Sequence, residues 1–350
     1  MIKPNTYAWT CPYSSLGIEP YYGIHHGNLY GKKVVTELNF RKLLNKFPDR
    51  PEIMIMGNFI MDRAAITSLC RENAINLAHS EDGFFPHYGV SHIDPLGFCW
   101  ESSLPRMVFL RATDTDRKIA TESRKQWLNR PNKQLLDGIK KPFVLWPMQL
   151  IGDKVNYWDL GNVEWCQLIS HFRQCLPENF QLVIKEHPRA AAADVYGLNA
   201  LASELKNTIL VSRRTDLASL LRNCHAVGGA NSTVLYEARL MYNKPVYAYA
   251  RSWFTNHEEL FLPVRRQMVR PLPRLDWLEQ PSSMHSERLN DYSDWFLTQL
   301  LARQINRKSA ITEPHIFRSK IWKLSYQSFL KYGEDIFVPD PGKKIYINFK

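Results

Sequence analysis

Short apolar segments alternate with helix-period amphipathic segments through most of this chain, and that alternation constrains its fold more than any other feature. Buried parallel strands read as apolar runs of about four to eight residues, and parallel neighbours need helical crossovers between them. We therefore predict α/β layers built on parallel sheets. The predicted strands are EIMIMG (52–57), INLAHS (75–80), RMVFL (106–110), FVLWPMQ (143–149), QLVIKEHP (181–188), TILVS (208–212), HAVGG (225–229) and KPVYAYA (244–250).

The length of the chain predicts two domains. At 350 residues it exceeds the roughly 250–300 residues at which a single core stops growing. Amphipathic stretches at 162–176, 195–206, 215–222 and 233–242 lie between the later strands. A charged segment, 112–142, interrupts the pattern and predicts a linker with a connecting helix.

We place the domain boundaries where the pattern changes. The prediction is a Rossmann-like N-terminal domain over 1–140 and a second Rossmann-like domain over 141–285. The remaining segment, 286–350, is helical in its pattern, and we expect it to pack back on the first domain.

The composition indicates which binding partners and which cellular compartment this chain favours. The chain has 45 Lys and Arg against 34 Asp and Glu, a formal charge of +11, which favours an anionic small molecule, nucleic acid or membrane surface as a neighbour. Its six cysteines form no CxxC pair, which argues against zinc ribbons and disulfide frameworks and favours a reducing cytoplasm. No apolar run reaches about eighteen residues, so we expect neither a membrane span nor a standard signal.

Polar clusters follow four of the predicted strands, at the ends where open α/β sheets bind ligands. The first is Glu81-Asp82-Gly83. Two neighbouring carboxylates repel, so one of them can hold a proton near neutral pH and act as an acid or base; a capping turn is the alternative interpretation. The second cluster contains Gln149 and Asp153, and a solvated Asx turn is the alternative for Asp153.

The third cluster is Lys185, His187, Pro188 and Arg189. Basic side chains delivered together at one strand end form a compact positive site for a phosphate or carboxylate. Pro188 disfavours helix at the residue before it and so holds His187 in a loop. The alternative is that His187 only fastens this loop.

The fourth cluster combines paired glycines with a polar helix start. Glycines let a backbone approach a ligand closely, and hydroxyls beside free N–H groups make an anion cradle. An N-cap explains the hydroxyls equally well but not the glycines. Glu237 lies one turn further along the predicted helix, where its carboxylate either reaches ribose hydroxyls or faces solvent. The residues are Gly228, Gly229, Asn231, Ser232, Thr233 and Glu237.

Several chemistries lack their motifs in this sequence. It contains no HxH, HExxH, P-loop or GxSxG, no GxGxxG after a strand and no DxD at a strand end. The nearest approach to DxD, TDTD at 113–116, lies in the charged linker. We therefore expect no metal site and no kinase, dehydrogenase or hydrolase activity. A nucleic-acid-binding protein remains the non-enzymatic alternative, although the basic residues are dispersed.

In their order along the chain, these clusters resemble bacterial GT-B glycosyltransferases that use CMP-activated acidic sugars. Glu81-Asp82-Gly83, His187-Pro188 and Ser232-Thr233 are similar to the acid-acid-Gly, His-Pro and Ser/Thr motifs of bacterial sialyltransferases. The likeness covers roughly residues 75–250.

A closer resemblance is to the capsule polysaccharide biosynthesis proteins and their O-antigen relatives, the retaining β-Kdo transferases. Their Gln-to-Asp segment is similar to Gln149–Asp153, although Ile151 and Gly152 replace acidic positions here. The resemblance implies a GT-B fold, with two Rossmann-like domains facing a central cleft. It also implies transfer of Kdo (3-deoxy-manno-octulosonic acid) from CMP-Kdo to a capsule, O-antigen or lipopolysaccharide acceptor.

The resemblance also implies roles for particular residues. CMP-Kdo is β-linked, so a β-linked product requires net retention, for which a carboxylate nucleophile is the simplest arrangement. The nucleophile is expected at Asp153 and the acid–base group at Glu81 or Asp82. The residues expected to bind the CMP-sugar are Gln149, Lys185, His187, Pro188, Arg189, Gly229, Asn231, Ser232, Thr233 and Glu237.

The expected partners follow from the same resemblance. They are a CMP-activated acidic sugar and a lipid-linked or oligosaccharide acceptor, with an anionic membrane surface as a further partner and no nucleic acid. CMP leaves with a single phosphate, so we expect no metal or other cofactor. We expect a cytoplasmic enzyme, peripheral on the inner face of the inner membrane. An inverting sialyltransferase or another nonulosonic acid transferase is the alternative, and it would not need Asp153.

Overall fold

The chain divides into two compact units, each built on one six-stranded sheet. The first unit comprises Met1–Met107 and Thr298–Lys350, and the second comprises Val108–Leu297. The predicted α/β class, with two sheet-centred units, is confirmed. The computed structural model describes residues 21–25, 28–31, 41–42, 45, 53–57, 63–85, 90–97, 101–129, 138–139, 142–150, 165–250, 252–263, 283–306 and 314–333.

The described strands and helices are numbered in chain order. The strands are β1 (Tyr21–His25), β2 (Asn28–Gly31), β3 (Ile53–Gly57), β4 (Asn76–Asp82), β5 (Val90–Asp94), β6 (Phe143–Pro147), β7 (Gln181–Lys185), β8 (Thr208–Val211), β9 (Ala226–Gly229), β10 (Val246–Ala248), β11 (Leu262–Pro263) and β12 (Gln304–Asn306). The helices are α1 (Arg63–Glu72), α2 (Asp114–Leu128), α3 (Trp165–Cys175), α4 (Ala192–Glu204), α5 (Leu217–Asn223), α6 (Thr233–Tyr242), α7 (Ser283–Arg303), α8 (Pro314–Lys323) and α9 (Tyr326–Tyr332).

The first unit has a mixed sheet in the order β12-β5-β4-β3-β1-β2. Among the described strands of this sheet, β3 and β4 pair in parallel and the other neighbours are antiparallel. This differs from the Rossmann-like arrangement predicted for the N-terminal domain. The connection from β4 to β5, residues 83–89, is too short for the crossover that a parallel pair requires, so β5 returns antiparallel.

One predicted strand of the sequence pattern does not form. RMVFL (106–110) begins at the end of a 3-10 turn, Leu104–Arg106, and continues outside both sheets. Val108 and Leu110 are exposed, whereas Phe109 between them stacks on Tyr292 of α7 with ring centroids 4.4 Å apart. The apolar run therefore buries one ring against a helix instead of forming a strand.

The second unit has a parallel sheet in the order β11-β10-β9-β6-β7-β8. Numbered within this unit, the strands follow the order 3-2-1-4-5-6 of the dinucleotide-binding fold, and the order reverses between β6 and β9. The carboxyl ends of β6 and β9 thus flank a topological switch point, where ligands of such sheets bind.

The boundary between the units lies at 107/108, whereas the predicted boundary lies at 140/141. The difference arises because α2 packs on α6 within the second unit. Arg124 Nε of α2 donates to the carbonyl of Leu240 at 2.6 Å, and Trp127 Nε1 donates to Glu237 Oε1 at 3.2 Å. The charged segment is therefore part of the second unit.

The TDTD sequence at 113–116 forms the start of α2. Thr113 Oγ1 accepts from the backbone N–H of Asp116 at 3.1 Å, and Asp116 Oδ2 accepts from the backbone N–H of Thr113 at 2.8 Å. This reciprocal arrangement is a capping box, which satisfies two backbone donors of the first turn. The motif has a structural explanation in helix initiation.

The C-terminal segment completes the first unit from residue 298, whereas the predicted boundary is at 285/286. Strand β12 pairs antiparallel with β5 at one edge of the sheet. Near α9, Asn76 Nδ2 donates to Ser325 Oγ at 2.7 Å, and the backbone N–H of Gln327 donates to Asn76 Oδ1 at 3.0 Å.

Within the described residues, no helix has both the length and the apolar character needed to cross a bilayer.

The paired glycines at the end of β9 are explained by core packing. A Cβ added at Gly228 would lie 2.4 Å from a ring carbon of Phe172, which belongs to the buried cluster around Trp146. At Gly229 an added Cβ would lie 3.2 Å from Leu235 of α6. The glycines, which an N-cap does not explain, thus have an explanation in core packing: α3 and α6 pack directly on the strand.

We predict that Gly228→Ala destabilises the second unit by about 1–3 kcal/mol, because the new methyl group displaces the Phe172 ring. Chemical denaturation followed by tryptophan fluorescence measures this change. The matched control is Gly197→Ala in α4, where an added Cβ meets nothing within 4 Å and the helix gains about 0.5–1 kcal/mol. Equal stability of the two variants would contradict the packing explanation.

Candidate functional site

The switch point of the second unit is closed by a pair of side-chain amides. The backbone N–H of Asn231, just past β9, donates to Gln149 Oε1 at 3.1 Å. Gln149 Nε2, just past β6, donates in turn to Asn231 Oδ1 at 2.7 Å. Because a backbone N–H can only donate, the first bond fixes the orientation of both amides. Two of the predicted ligand-binding residues are thus in contact, and they join the loops that follow β6 and β9.

Helix α6 begins at this same point. Ser232 is its N-cap, and Ser232 Oγ accepts from the backbone N–H of Val234 at 3.3 Å. Asn231 and Ser232 are buried, whereas Thr233 is exposed. The first N–H groups of a helix have no intrahelical acceptors and carry partial positive charge, so this end favours an anion. Both the N-cap and the anion-cradle interpretations agree with this geometry.

The Lys-His-Pro-Arg cluster lies at the end of β7, next to β6. Lys185 is buried, and its Nζ donates to the carbonyls of Glu186 at 3.2 Å and Arg213 at 3.3 Å. Burial lowers the pKa of Lys185. These contacts show a lysine that fastens the loops after β7 and β8 from inside, instead of one that extends into solvent.

His187 is held in one tautomer by the turn that follows it. The backbone N–H of Arg189 donates to His187 Nδ1 at 3.1 Å, and the backbone N–H of Ala190 donates to the carbonyl of His187 at 3.0 Å. An Nδ1 that accepts leaves the proton of the neutral ring on Nε2. The half-buried His187 can therefore present an Nε2–H donor, while Pro188 and Arg189 form the exposed part of the turn.

Two further predicted residues of the second unit stand apart from these contacts. Glu237 is half-buried, and its Oε1 accepts from Trp127 of α2, so the carboxylate takes part in holding α2 on α6. Asp153 lies outside the described residues, and its proposed role stays a prediction.

In the first unit, Glu81 and Asp82 are the last two residues of β4 and do not form the expected loop. Successive residues of a strand point to opposite faces of the sheet. The two carboxylates therefore cannot act as an adjacent, proton-sharing pair, which corrects the premise that they repel within one pocket. Glu81 lies directly opposite His92 of β5, and His92 Nε2 is 3.9 Å from Glu81 Oε2.

Sequence reasoning missed three polar residues around Glu81. His92 and Asp94 lie in VSHID (90–94), a short run with two β-branched residues between Gly89 and Pro95, and that boundary pattern could have marked β5 as a strand. Gln304 had no local signal: its Oε1 accepts from the backbone N–H groups of Phe84 and Phe85, each at 2.6 Å, more than 200 positions away in sequence.

Asp94 anchors the loop that follows β5. It is fully buried, and its carboxylate accepts from the backbone N–H groups of Leu96 and Ser103 at 2.9 and 3.0 Å and from Ser103 Oγ at 2.6 Å. Arg303 Nε lies 3.9 Å from Asp94 Oδ2, and the Arg303 side chain is also fully buried.

Among the residues that the structure describes, no three His, Cys, Asp or Glu side chains are grouped as metal ligands.

Comparison with known proteins gives one match of sequence and several of structure. The family model of capsule polysaccharide biosynthesis proteins matches residues 109–257. Among curated proteins, no sequence matches the chain significantly. The matched segment begins within two residues of the start of the second unit, at Val108, and it includes both the switch point and the loop after β7.

Solved structures with a similar chain path share little sequence with this protein. They include Thermosulfurimonas dismutans KpsC, beta Kdo 2,7 transferase, with 17% identity, a TM-score of 0.43 and coverage of 73% of this chain and 87% of that chain. The T. dismutans KpsC beta Kdo 2,4 transferase has 17% identity and a TM-score of 0.46, over 68% of this chain and 78% of that chain. Anabaena Alr3699/HepE in complex with UDP has 14% identity and a TM-score of 0.40, over 79% and 67%.

The activities in these names belong to those proteins. For the present chain, the sequence match confirms over residues 109–257 the expected relationship to the capsule polysaccharide biosynthesis proteins.

Proposed function

We propose that the protein is a glycosyltransferase of capsule polysaccharide synthesis that moves Kdo from CMP-Kdo to a surface-glycan acceptor with retention of configuration. The observation that carries this proposal is the switch point itself. The 3-2-1-4-5-6 sheet brings the Gln149–Asn231 pair and the start of α6 together, and both lie within the segment that matches the capsule family. That is the position where such sheets bind nucleotides.

The CMP phosphate is assigned to the start of α6. Backbone N–H groups at Ser232 and Thr233 and the helix dipole would stabilise its negative charge. His187, with its proton on Nε2, would donate a further hydrogen bond from the end of β7, which lies on the other side of β6 from β9. Both groups stabilise CMP as a leaving group, because the charge on its phosphate grows as the bond to the sugar breaks. Lys185 would act indirectly, by holding the loop that carries His187.

Retention is assigned to two displacements on the same carbon. In the first, the Asp153 carboxylate attacks the anomeric carbon and CMP departs with the bonding electrons. In the second, the acceptor hydroxyl attacks that carbon, the bond to Asp153 breaks, and the hydroxyl proton moves to a carboxylate base. Glu81 is assigned as this base in preference to Asp82, because it lies on the sheet face that carries His92. A single phosphate leaves, so the proposal needs no metal ion.

The first prediction of this proposal concerns the nucleophile. Asp153→Asn should lower transfer from CMP-Kdo on the order of 10³-fold or more, because a neutral amide cannot form the glycosyl ester. Intact-protein mass spectrometry with CMP-Kdo should show a Kdo adduct on the wild type that is absent from Asp153→Asn. The control is Glu204→Gln on the exposed side of α4. Full activity of Asp153→Asn with CMP-sialic acid or CMP-Kdo would favour the inverting alternative.

The second prediction separates the two acids of β4. Glu81→Gln should lower kcat by about 10²-fold or more, since it removes the base. Asp82→Asn, whose side chain lies on the opposite face, should change kcat by much less. Steady-state kinetics of both variants with one donor and acceptor pair measures the contrast. The reverse order of effects would move the base to Asp82.

Attachment to an anionic membrane is part of the proposal. Ile321 and Leu324 are fully buried in the first unit, whereas Leu330 and Tyr332 of α9 are 66% and 54% exposed beside Lys331. Exposed apolar side chains next to a lysine favour an anionic lipid surface. Ile321 and Leu324 serve the core, so removing the whole segment from α8 onward would not isolate membrane binding.

We predict that Leu330→Ser/Tyr332→Ser weakens binding to phosphatidylglycerol-containing vesicles several-fold in a flotation assay, because it removes the apolar contact. Tyr196→Ser, at an 80% exposed tyrosine of the second unit, is the matched control and should bind like the wild type. Unchanged flotation of the double variant would exclude α9 as the attachment site.

A further inference from the structure

Three side chains form a row across the sheet of the first unit. Gln304 of β12 lies opposite His92 of β5, and His92 lies opposite Glu81 of β4. Residues directly opposed on antiparallel strands project from the same face of the sheet. The three side chains therefore share one face, although they come from distant parts of the chain.

The ring of His92 is fixed in one tautomer. Its Nδ1 lies 2.7 Å from the backbone carbonyl oxygen of Asp82. A carbonyl oxygen can only accept, so Nδ1 carries the proton, and in the neutral ring Nε2 holds a lone pair. That Nε2 faces the Glu81 carboxylate, with 3.9 Å between Nε2 and Oε2. The ring also stacks on Phe84, with centroids 4.3 Å apart and an angle of 23°.

Gln304 fixes the backbone that carries Phe84. Its Oε1 accepts from the N–H groups of Phe84 and Phe85, and its Nε2 donates to the carbonyl of Phe85 at 3.0 Å. All three partners belong to the turn directly after Glu81-Asp82-Gly83. The C-terminal strand β12 therefore positions the His92 ring in two ways. It pairs with the β5 backbone that carries His92, and through Gln304 it holds the turn that carries Phe84.

The surroundings of His92 favour the neutral ring. Burial is the largest influence and lowers the pKa of His92, and the charge of Arg303 acts in the same direction. Glu81, Asp94 and the bond to the Asp82 carbonyl act in the opposite direction. A neutral imidazole is a proton acceptor at Nε2, the atom nearest to Glu81.

We propose that His92 is a positioning residue and proton partner for Glu81: its unprotonated Nε2 accepts a hydrogen bond from the Glu81 carboxyl group once that group has taken up the proton. The inference rests on the proposed function for the step that it serves. As the acceptor oxygen forms its bond to the anomeric carbon, the O–H bond breaks and the proton moves to the Glu81 carboxylate. The proton is then shared with His92 Nε2 and leaves to solvent from Glu81 after the product departs, which restores the neutral ring.

Nitrogen NMR of the full chain labelled with ¹⁵N-histidine tests the pair without any assay of activity. The His92 signals should show a protonated Nδ1 and an unprotonated Nε2 near neutral pH, and Glu81→Gln should shift the Nε2 signal while Nδ1 stays in place. The signal lost in His92→Asn assigns the ring, and His92→Gln replaces that variant if it does not fold. A protonated Nε2, or an Nε2 signal unmoved by Glu81→Gln, would overturn the inference.

Kinetics tests the consequence for catalysis. His92→Asn keeps a donor for the Asp82 carbonyl but lacks Nε2, so kcat should fall about tenfold or more while the KM for the donor sugar changes little. The acidic limb of the pH–rate profile should move to lower pH by about one unit, because a proton shared by two groups is held more tightly than one held by Glu81 alone.

The matched control makes the same change at another histidine. His171→Asn in α3 removes a ring whose Nδ1 lies 2.9 Å from the hydroxyl of Tyr249, and it should leave the acidic limb where it is. Equal limbs for His92→Asn and the wild type would reject the proton partnership and leave the Glu81 assignment standing. Loss of the limb with full activity in Glu81→Gln would instead reject the proposed base.

Discussion

The parallel sheet of the second unit determines where the loops that could bind a ligand lie. Parallel neighbours need a crossover after each strand, so the loops that follow the strands all lie along one edge. The reversal of strand order between β6 and β9 separates two of those loops, and Gln149 and Asn231 join them again through paired amide hydrogen bonds. The start of α6, after β9, and the turn at His187, after β7, lie along this same edge.

The first unit depends on a different kind of contact. Its sheet is completed by a strand from the far end of the chain, and the buried pair of Asp94 and Arg303 lies where that segment meets β5. Removing one partner of a buried pair leaves an uncompensated charge, so such contacts are costly to break. Gln304, the residue after Arg303, accepts a hydrogen bond from the backbone N–H of Phe84. The turn that follows Glu81-Asp82-Gly83 therefore also depends on the C-terminal strand.

The parts that the sequence could predict were those with local signals. Strands β6 to β10 and helices α3 to α6 follow from apolar runs and amphipathic periods, because burial on a parallel sheet imposes those patterns directly. The parts that it could not predict depend on tertiary pairing. The opposite faces of Glu81 and Asp82, the approach of Gln304 and the packing of Phe172 on Gly228 have no signature in the neighbouring residues.

In the proposed function, the switch point of the second unit binds the CMP part of the donor. Hydrogen–deuterium exchange of the full chain with and without saturating CMP tests it most directly, because the amides at the start of α6 would bind the phosphate. CMP bound there should slow exchange in peptides covering 231–235 and 187–190, with little change across β4 and β5. Unchanged exchange in both peptides, with protection elsewhere or nowhere, would contradict it.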